Sequence, residues 1–312
     1  MQRYISRAGA LLAAAALALT AWSPPAVAES TTVRHLAGSA QAVTDFWTPE
    51  RMASAVPMDR LLAAPRDLGA TVAAGTPAVV PPSVATFPTT GEPWTDGGAV
   101  AETAGRVFFT TNGRAASCSG NAVTSSNRSV VLTAGHCVKY QGSWHTDWIF
   151  VPGYADGQAP FGEWAAEVTL TTPQWESSED INYDVGAAVV QQLDGQSLTD
   201  VVGGQGVAFN QQRNQDMYAF GYPAADPYDG STLIHCSGST FTDFLLSSDH
   251  GMSCDMTGGS SGGPWFLDFE EATGLGVQNS VNSFGYTFLP GYLFGPYFGT
   301  AAQELYERAE TR

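Results

Sequence analysis

From Arg106 onward the apolar residues come in short β-rich runs separated by turn residues, and this spacing limits the fold more than any other feature. Val107–Thr110, Ser129–Thr133, Trp148–Val151, Ala166–Leu170, Val185–Val190, Met217–Phe220 and Val277–Phe284 are such runs. Strands this short, with a turn every ~10 residues, predict an all-β sandwich or barrel. The 34 glycines and 18 prolines supply the turns that such a fold needs. One helix is expected at the end, Thr300–Glu310, with Leu305 and Tyr306 placed to dock one face. No internal repeat is present.

The N-terminal part has a different character. Arg3 and Arg7 precede an apolar run from Ala8 to Ala21, too short for a comfortable membrane span. Ala26-Val27-Ala28 is a small-x-small site, so residues 1–28 read as a secretory signal peptide cleaved after Ala28. No later stretch could span a bilayer, and a soluble product outside the cell is expected. Residues 29–97 read as a propeptide and linker, the alternative being a small accessory domain or tail that stays attached. Within them Thr48 can cap a helix whose first turn suits Pro49. The run Ala73–Pro93 is rich in Ala, Pro, Val and Thr and reads as extended. Residues 98–312 are left as the main domain.

The net charge is −17, and Gly98–Arg312 carries seven basic against 23 acidic residues. Such a surface argues against nucleic acid or anionic membrane as partner. Four cysteines, Cys118, Cys137, Cys236 and Cys254, in an exported chain imply two disulfides. Three pairings are possible; Cys118–Cys137 and Cys236–Cys254 each close a short loop and are the expected ones. The Cys/His spacing matches no metal motif, so no metal and no cofactor is expected.

Three boxes carry chemistry, in the order His, Asp, Ser. They are Thr133-Ala134-Gly135-His136-Cys137, Tyr183-Asp184-Val185-Gly186-Ala187 and Gly259-Ser260-Ser261-Gly262-Gly263-Pro264. The last sets a serine among small neighbours, where a carbonyl can approach and backbone N–H groups can converge on an oxyanion. A serine needs a base to take its proton and an acid to orient that base. His136 follows an apolar strand and sits beside a cysteine. Asp184 precedes an apolar strand, with Asp180 as the other nearby acid. Of the other four histidines, His35 falls in the propeptide, and His145, His235 and His250 have no such context and read as surface or loop residues.

These boxes, together with Gly221-Tyr222-Pro223 and Cys254-Asp255, resemble those of the chymotrypsin-fold serine peptidases over roughly Arg106–Gly299. The likeness is to the secreted bacterial branch that includes glutamyl endopeptidases. It implies two six-stranded antiparallel β-barrels with the active site between them, His136 and Asp184 on the first and Ser261 on the second. It also supports the Cys118–Cys137 bridge beside the histidine, and a propeptide that keeps the enzyme inactive or helps it fold. The implied activity is endopeptidase, with polypeptide substrates, and a monomer is expected. The oxyanion donors are then the amides of Gly259 and Ser261. Ser260 stands where many digestive relatives have an acid, so activation by an ion pair with a new N-terminus is not expected.

The substrate-binding candidates are Asp255, Met256, Asn282, Ser283, Phe284 and Gly285. Asp255, six residues before Ser261, reads either as a selector of basic side chains or as a structural acid. Met256 and Asn282 stand where glutamyl relatives have a small hydroxyl residue and a histidine. An apolar methionine beside an asparagine does not favour a carboxylate. Ser283–Gly285 offers backbone bonds to an extended substrate. Two other readings remain: a catalytically silent homologue acting as a binding module, and an esterase with the same triad. The α/β-hydrolase order, with histidine after serine, is absent.

Overall fold

The computed structural model describes residues 31–58, 72–79 and 89–312. The expected signal peptide, 1–28, lies outside them. The N-terminal segment contributes short pieces: β1 (Thr32–His35), α1 (Ala40–Phe46), α2 (Pro49–Ser54), β2 (Val56–Pro57), β3 (Ala78–Val79) and β4 (Glu92–Pro93). Thr48 does cap α2, its hydroxyl accepting from the Arg51 amide, and Pro49 opens the first turn.

After α3 (Ala99–Thr103) the chain builds the first barrel from β5 (Ala104–Thr111), β6 (Arg114–Ala122) and β7 (Val130–Thr133). A small hairpin follows, β8 (Lys139–Tyr140) and β9 (Ser143–Trp144), then β10 (Thr146–Pro152), β11 (Trp164–Thr171), α4 (Pro173–Ser178) and β12 (Gly186–Val190). The order β11-β10-β5-β6-β7-β12 closes through β11–β12 into six antiparallel strands. The β5–β6 hairpin turns at Asn112-Gly113, both with positive φ (49° and 74°), as a two-residue turn of matching twist requires. Along β5 the side chains alternate. Val107 and Phe109 enter the barrel core, while Phe108 joins Tyr218, Phe220 and Phe266 of the second half. Both faces are buried, so the run reads as unbroken apolar sequence.

The second half follows α5 (Leu198–Val202) with β13 (Gly206–Phe209), β14 (Asp216–Gly221), β15 (Ile234–Ser239), β16 (Phe241–Thr242) and β17 (His250–Ser253). It ends with β18 (Pro264–Glu270), β19 (Leu275–Val281), β20 (Tyr292–Gly295) and α6 (Thr300–Glu310). Its main sheet runs β3-β13-β19-β18-β14-β15-β4, beside a separate sheet β16-β17-β20. One core, with Met217, Trp265, Met252 and Leu293, lies between the two sheets. Here the wall is not closed by ladder. β13 meets β19 in parallel over two residue pairs, and the sheet's two edges are taken by β3 and β4 of the N-terminal segment.

Both expected disulfides form, with Cα–Cα distances of 6.2 Å for Cys118–Cys137 and 5.6 Å for Cys236–Cys254. Loops of this size stabilise by about 3 kcal/mol each in the chain-entropy account. The expected C-terminal helix docks Leu305 and Tyr306 onto the first barrel. No helix among the described residues is long and apolar enough to cross a membrane.

Candidate active site

His136 sits in a single 3₁₀ turn, Gly135–Cys137, directly after β7, and is fully buried. The turn is pinned at both ends of the histidine. Its amide donates to Asp184 Oδ1 at 2.7 Å, and its carbonyl accepts from His145 Nε2 at 3.0 Å. The next carbonyl, of Cys137, accepts from Trp148 Nε1. Nδ1 lies 2.7 Å from Asp184 Oδ2, so this carboxylate fixes both backbone and ring. A carboxylate on Nδ1 holds the proton there and leaves Nε2 as the base.

Asp184 ends the 3₁₀ turn Ile181–Tyr183 and has no exposed surface. Besides His136 it accepts from the Ser283 hydroxyl at 2.5 Å. Asp180, the other nearby acid, instead caps that same turn, binding the amide and side chain of Asn182. Burial pushes the Asp180 carboxyl above its ordinary value.

Ser261 comes from the other half and is held against the histidine turn. Its carbonyl accepts from the Ser119 amide at 2.7 Å and lies 3.7 Å from Cys137 Sγ. Gly262 packs so closely on Thr133 and Ala134 that a Cβ would overlap them. His136 Nε2 is buried and makes no hydrogen bond among the described residues, so the link to the serine hydroxyl is not closed here. Such contacts often tighten only with substrate.

The amides of Ser260, Gly262 and Gly263 all donate to backbone carbonyls, whereas among the described residues those of Gly259 and Ser261 donate to none. Gly259 has φ +98°, a conformation that glycine tolerates best, and its carbonyl is held by Ser119 Oγ at 2.9 Å. Two free amides flanking a buried turn can hold a developing oxyanion.

The predicted substrate contacts divide. Ser283 and Phe284 bond on one side to Phe294, while the Ser283 carbonyl and both backbone groups of Gly285 make no hydrogen bond among the described residues. An extended chain can add there. Met256 is buried in the second core. Asp255 is exposed, and Tyr228 donates to it at 2.7 Å. Asn282, expected on a pocket wall, is spent inward. Its Nδ2 donates to the Phe220 and Ser260 carbonyls, both at 2.8 Å, and its Oδ1 accepts from Trp265 Nε1 at 2.6 Å. Its backbone pairs with Gly262 and Gly263. Both amide hydrogens are used and the side chain has no exposed surface, so it fixes the serine loop and does not face a substrate.

The three histidines expected at the surface or in loops are all buried, His145 in a loop and the other two in strands. His145 stacks on Phe109 at 4.4 Å, and desolvation lowers it to about 4. His235 lies among Trp94, Tyr218 and Phe220. His250 is brought down to about 3 by burial. Ser119 was also missed, although three of its bonds, to Ser261, Gly259 and Tyr222, tie the two halves together, and its carbonyl accepts from Thr133 within the first. Cys118, His136 and Cys137 bring ligand-type atoms close together, but the two sulfurs are joined in a disulfide and are not thiolates.

No family model matches the chain, and no curated protein matches it. Among solved structures, protease Anisep from Arthrobacter nicotinovorans shares 44% identity over 68% of this chain and 96% of that one, with TM-score 0.64. The thermostable serine protease AL20 from an extremophilic microorganism shares 44% over 68% and 99%, with TM-score 0.65. The chain belongs to the chymotrypsin-fold serine proteases. A Glu endopeptidase is similar in fold, at 17% identity and TM-score 0.53, over 79% of this chain and all of that one. The protein is thus a peptide-bond hydrolase, and its substrates are polypeptides.

Proposed function

We propose that this protease is a secreted endopeptidase in which Ser261 is the nucleophile, His136 the base and Asp184 the orienting acid. The observation that carries the reading is the buried Asp184–His136 pair with the Ser261 turn packed against it. As Ser261 Oγ bonds to the scissile carbonyl carbon, its proton passes to His136 Nε2. The carbonyl oxygen becomes an oxyanion held by the Gly259 and Ser261 amides. The carbon–nitrogen bond then breaks, and the leaving amine takes the proton from His136. Water, giving a proton to His136, attacks the acyl ester; the carbon–oxygen bond breaks and His136 returns the proton to Ser261 Oγ. The test is Ser261→Ala, which should lower kcat by about 10⁶. Equal peptide cleavage by wild type and variant would sink the assignment.

Residues 98–312 form the peptidase domain in this reading, and 29–97 a removable pro-segment. About 68% of the chain aligns with each of the two 44%-identical relatives, a share close to that of 98–312. β7 pairs with β6 only at Asn121 and Ala122, and β2 takes the freed edge at Ala116 and Ser117. That edge leads straight to Cys118 and Ser119 beside the serine, so a strand added there competes with an extended substrate. Activity should therefore rise when 29–97 is removed; a full-length chain as active as the processed one would refute the inhibitory role.

A further inference from the structure

Residues 72–79 lie in a groove of the second half that the proposed reaction does not use. Ala78 and Val79 pair antiparallel with Phe209 and Ala208, on the edge of β13 away from β19. β3 thus adds to the sheet as an incoming peptide strand would. Ahead of this ladder the contacts come from side chains. Asn210 clamps the backbone, its Oδ1 accepting from the Gly75 amide at 2.8 Å and its Nδ2 donating to the Thr76 carbonyl at 3.0 Å. Gln211 Nε2 donates to the Ala78 carbonyl at 3.0 Å. The Thr300 amide, at the start of α6, points to the Ala73 carbonyl at 3.5 Å.

The clamp is held by the second half itself. The Asn210 amide donates to the Phe298 carbonyl at 2.7 Å, and its Nδ2 also donates to Gln303 Oε1 at 2.9 Å. The Gln211 carbonyl accepts from the Tyr297 hydroxyl at 2.8 Å. What the groove reads is backbone. The side chains of Ala73, Ala74, Thr76 and Pro77 are exposed, while Val72 is buried beside Gly299. Close approach sets the size limits. A Cβ at Gly75 would stand 2.5 Å from Thr300 Oγ1, and one at Gly299 would stand 2.6 Å from the Ala73 carbonyl oxygen. Segment 72–79 carries no charge, so the net charge of −17 does not oppose its docking.

We infer that this groove is a second polypeptide-binding site of the processed protease, taking the extended small-residue segment 72–79 in cis before processing and as a separate chain afterwards. The inference rests on the reading of 29–97 as a removable pro-segment. Among the described residues, no hydrogen bond joins Asn210, Gln211 or Gln303 to His136, Asp184 or the serine turn, so the site is separate from the cleft. The pro-segment then has a foothold on each half: β1 and β2 on the first barrel, 72–79 on the second sheet. Cutting the chain does not by itself clear it.

A segment tethered in the same chain is presented at roughly millimolar concentration, so a site filled in cis should bind the free peptide at about that level or better. The test titrates a fluorescently labelled peptide of residues 72–79 into the processed protease and follows anisotropy, with mass spectrometry confirming that the peptide stays intact. Binding should saturate. Gly75→Val in the peptide and Asn210→Gly in the protease should each weaken it about tenfold, through overlap with Thr300 or loss of the two clamp bonds. The peptide change leaves the enzyme untouched, and glycine keeps the positive φ of position 210. A covalent serine inhibitor in the cleft should leave binding unchanged. No saturation by about 5 mM, binding indifferent to both changes, or binding abolished by the inhibitor overturns the inference. If mass spectrometry finds 72–79 still in the mature chain, the removable-segment reading falls and the groove is decided in cis. Hydrogen exchange across 72–79 should then be about tenfold faster in Asn210→Gly, with the rest of the second sheet unchanged. Equal exchange refutes the groove.

Discussion

The two halves of the molecule reach rigidity by different routes. The first is a closed barrel, and it supplies His136 and Asp184 already joined by two bonds of 2.7 Å. The second is a sheet with its edges covered by β3 and β4, and its serine turn is held by backbone bonds to Ser119 and Asn282 together with those two side chains, Ser119 from across the interface and Asn282 from β19's end. The proposed acid–base pair is thus set by local ladder and a short turn. The proposed nucleophile and oxyanion amides are set by long-range contacts, and the side-chain share of these, from Ser119 and Asn282, can be removed by single substitutions.

The largest test of this contrast falls on the first half. Asp184→Asn keeps the shape but loses the charge that fixes the Nδ1 proton, and kcat should drop by about 10⁴. The fold should hold, because the Asn oxygen can still accept from the His136 amide, while its NH2 group donates to the Ser283 hydroxyl oxygen and to His136 Nδ1. A melting point shifted as far as the activity would show that the pair is structural first.

In the second half the expected balance is reversed. Asn282→Leu takes one bond each from the Phe220 and Ser260 carbonyls and leaves the buried Trp265 indole without its acceptor, at a cost of about 1–3 kcal/mol. Urea unfolding should show this loss, and kcat should fall with KM nearly constant, since the turn and not the substrate groove is disturbed. A raised KM at unchanged kcat would return Asn282 to the pocket wall.

What the sequence made legible follows the same division. The Thr48 cap, the α6 docking face and the His136 and Asp184 boxes each depend on residues near one another in the chain. Asn282 could not be read, because its partners Phe220 and Ser260 lie 62 and 22 residues away. The burial of His145, His235 and His250 depends on aromatic neighbours gathered from other strands. Ser119 looks like any strand serine until the second half lies on it. The covered edges of the second sheet were equally hidden, since β3 and β4 are two-residue strands inside what reads as a linker.

Acidity should strain the first half. His145 faces His136 and Lys139, and burial lowers it to about 4, below the ordinary histidine value near 6.5. The unfolded chain takes up the proton first, so stability is complete above pH ~6.5 and declines as pH falls toward 4. The loss over that interval is on the order of 3 kcal/mol. His145→Phe keeps the stacking on Phe109 and removes this term. It should cost about 1 kcal/mol at pH 7 for the lost bond to the His136 carbonyl, yet flatten the acid limb of a pH–stability curve. An unchanged acid limb would place the acid lability elsewhere.

Alkalinity should strain the second half, more gently. Asp249 lies in the loop before β17, fully buried, with both carboxylate oxygens unpartnered among the described residues. Burial raises it well above the usual carboxylate range, and the charges of Asp184, Asp243 and Asp180 add to this, while Arg213 opposes it. The native state therefore keeps a proton that the unfolded chain gives up near pH 3.9. Its stabilising term is complete below that pH and is lost as pH rises toward the folded value, the opposite slope to His145. Asp249→Asn is neutral at every pH, so it should raise the melting temperature at neutral and higher pH and leave the acid limb alone. Guanidine unfolding at several pH values, on both variants and their combination, checks the division. If the halves titrate independently, the two corrections should add, each on its own limb. Non-additivity would mean that Asp249 and His145 communicate through Asp184, which lies between one's field and the other's hydrogen bond to His136.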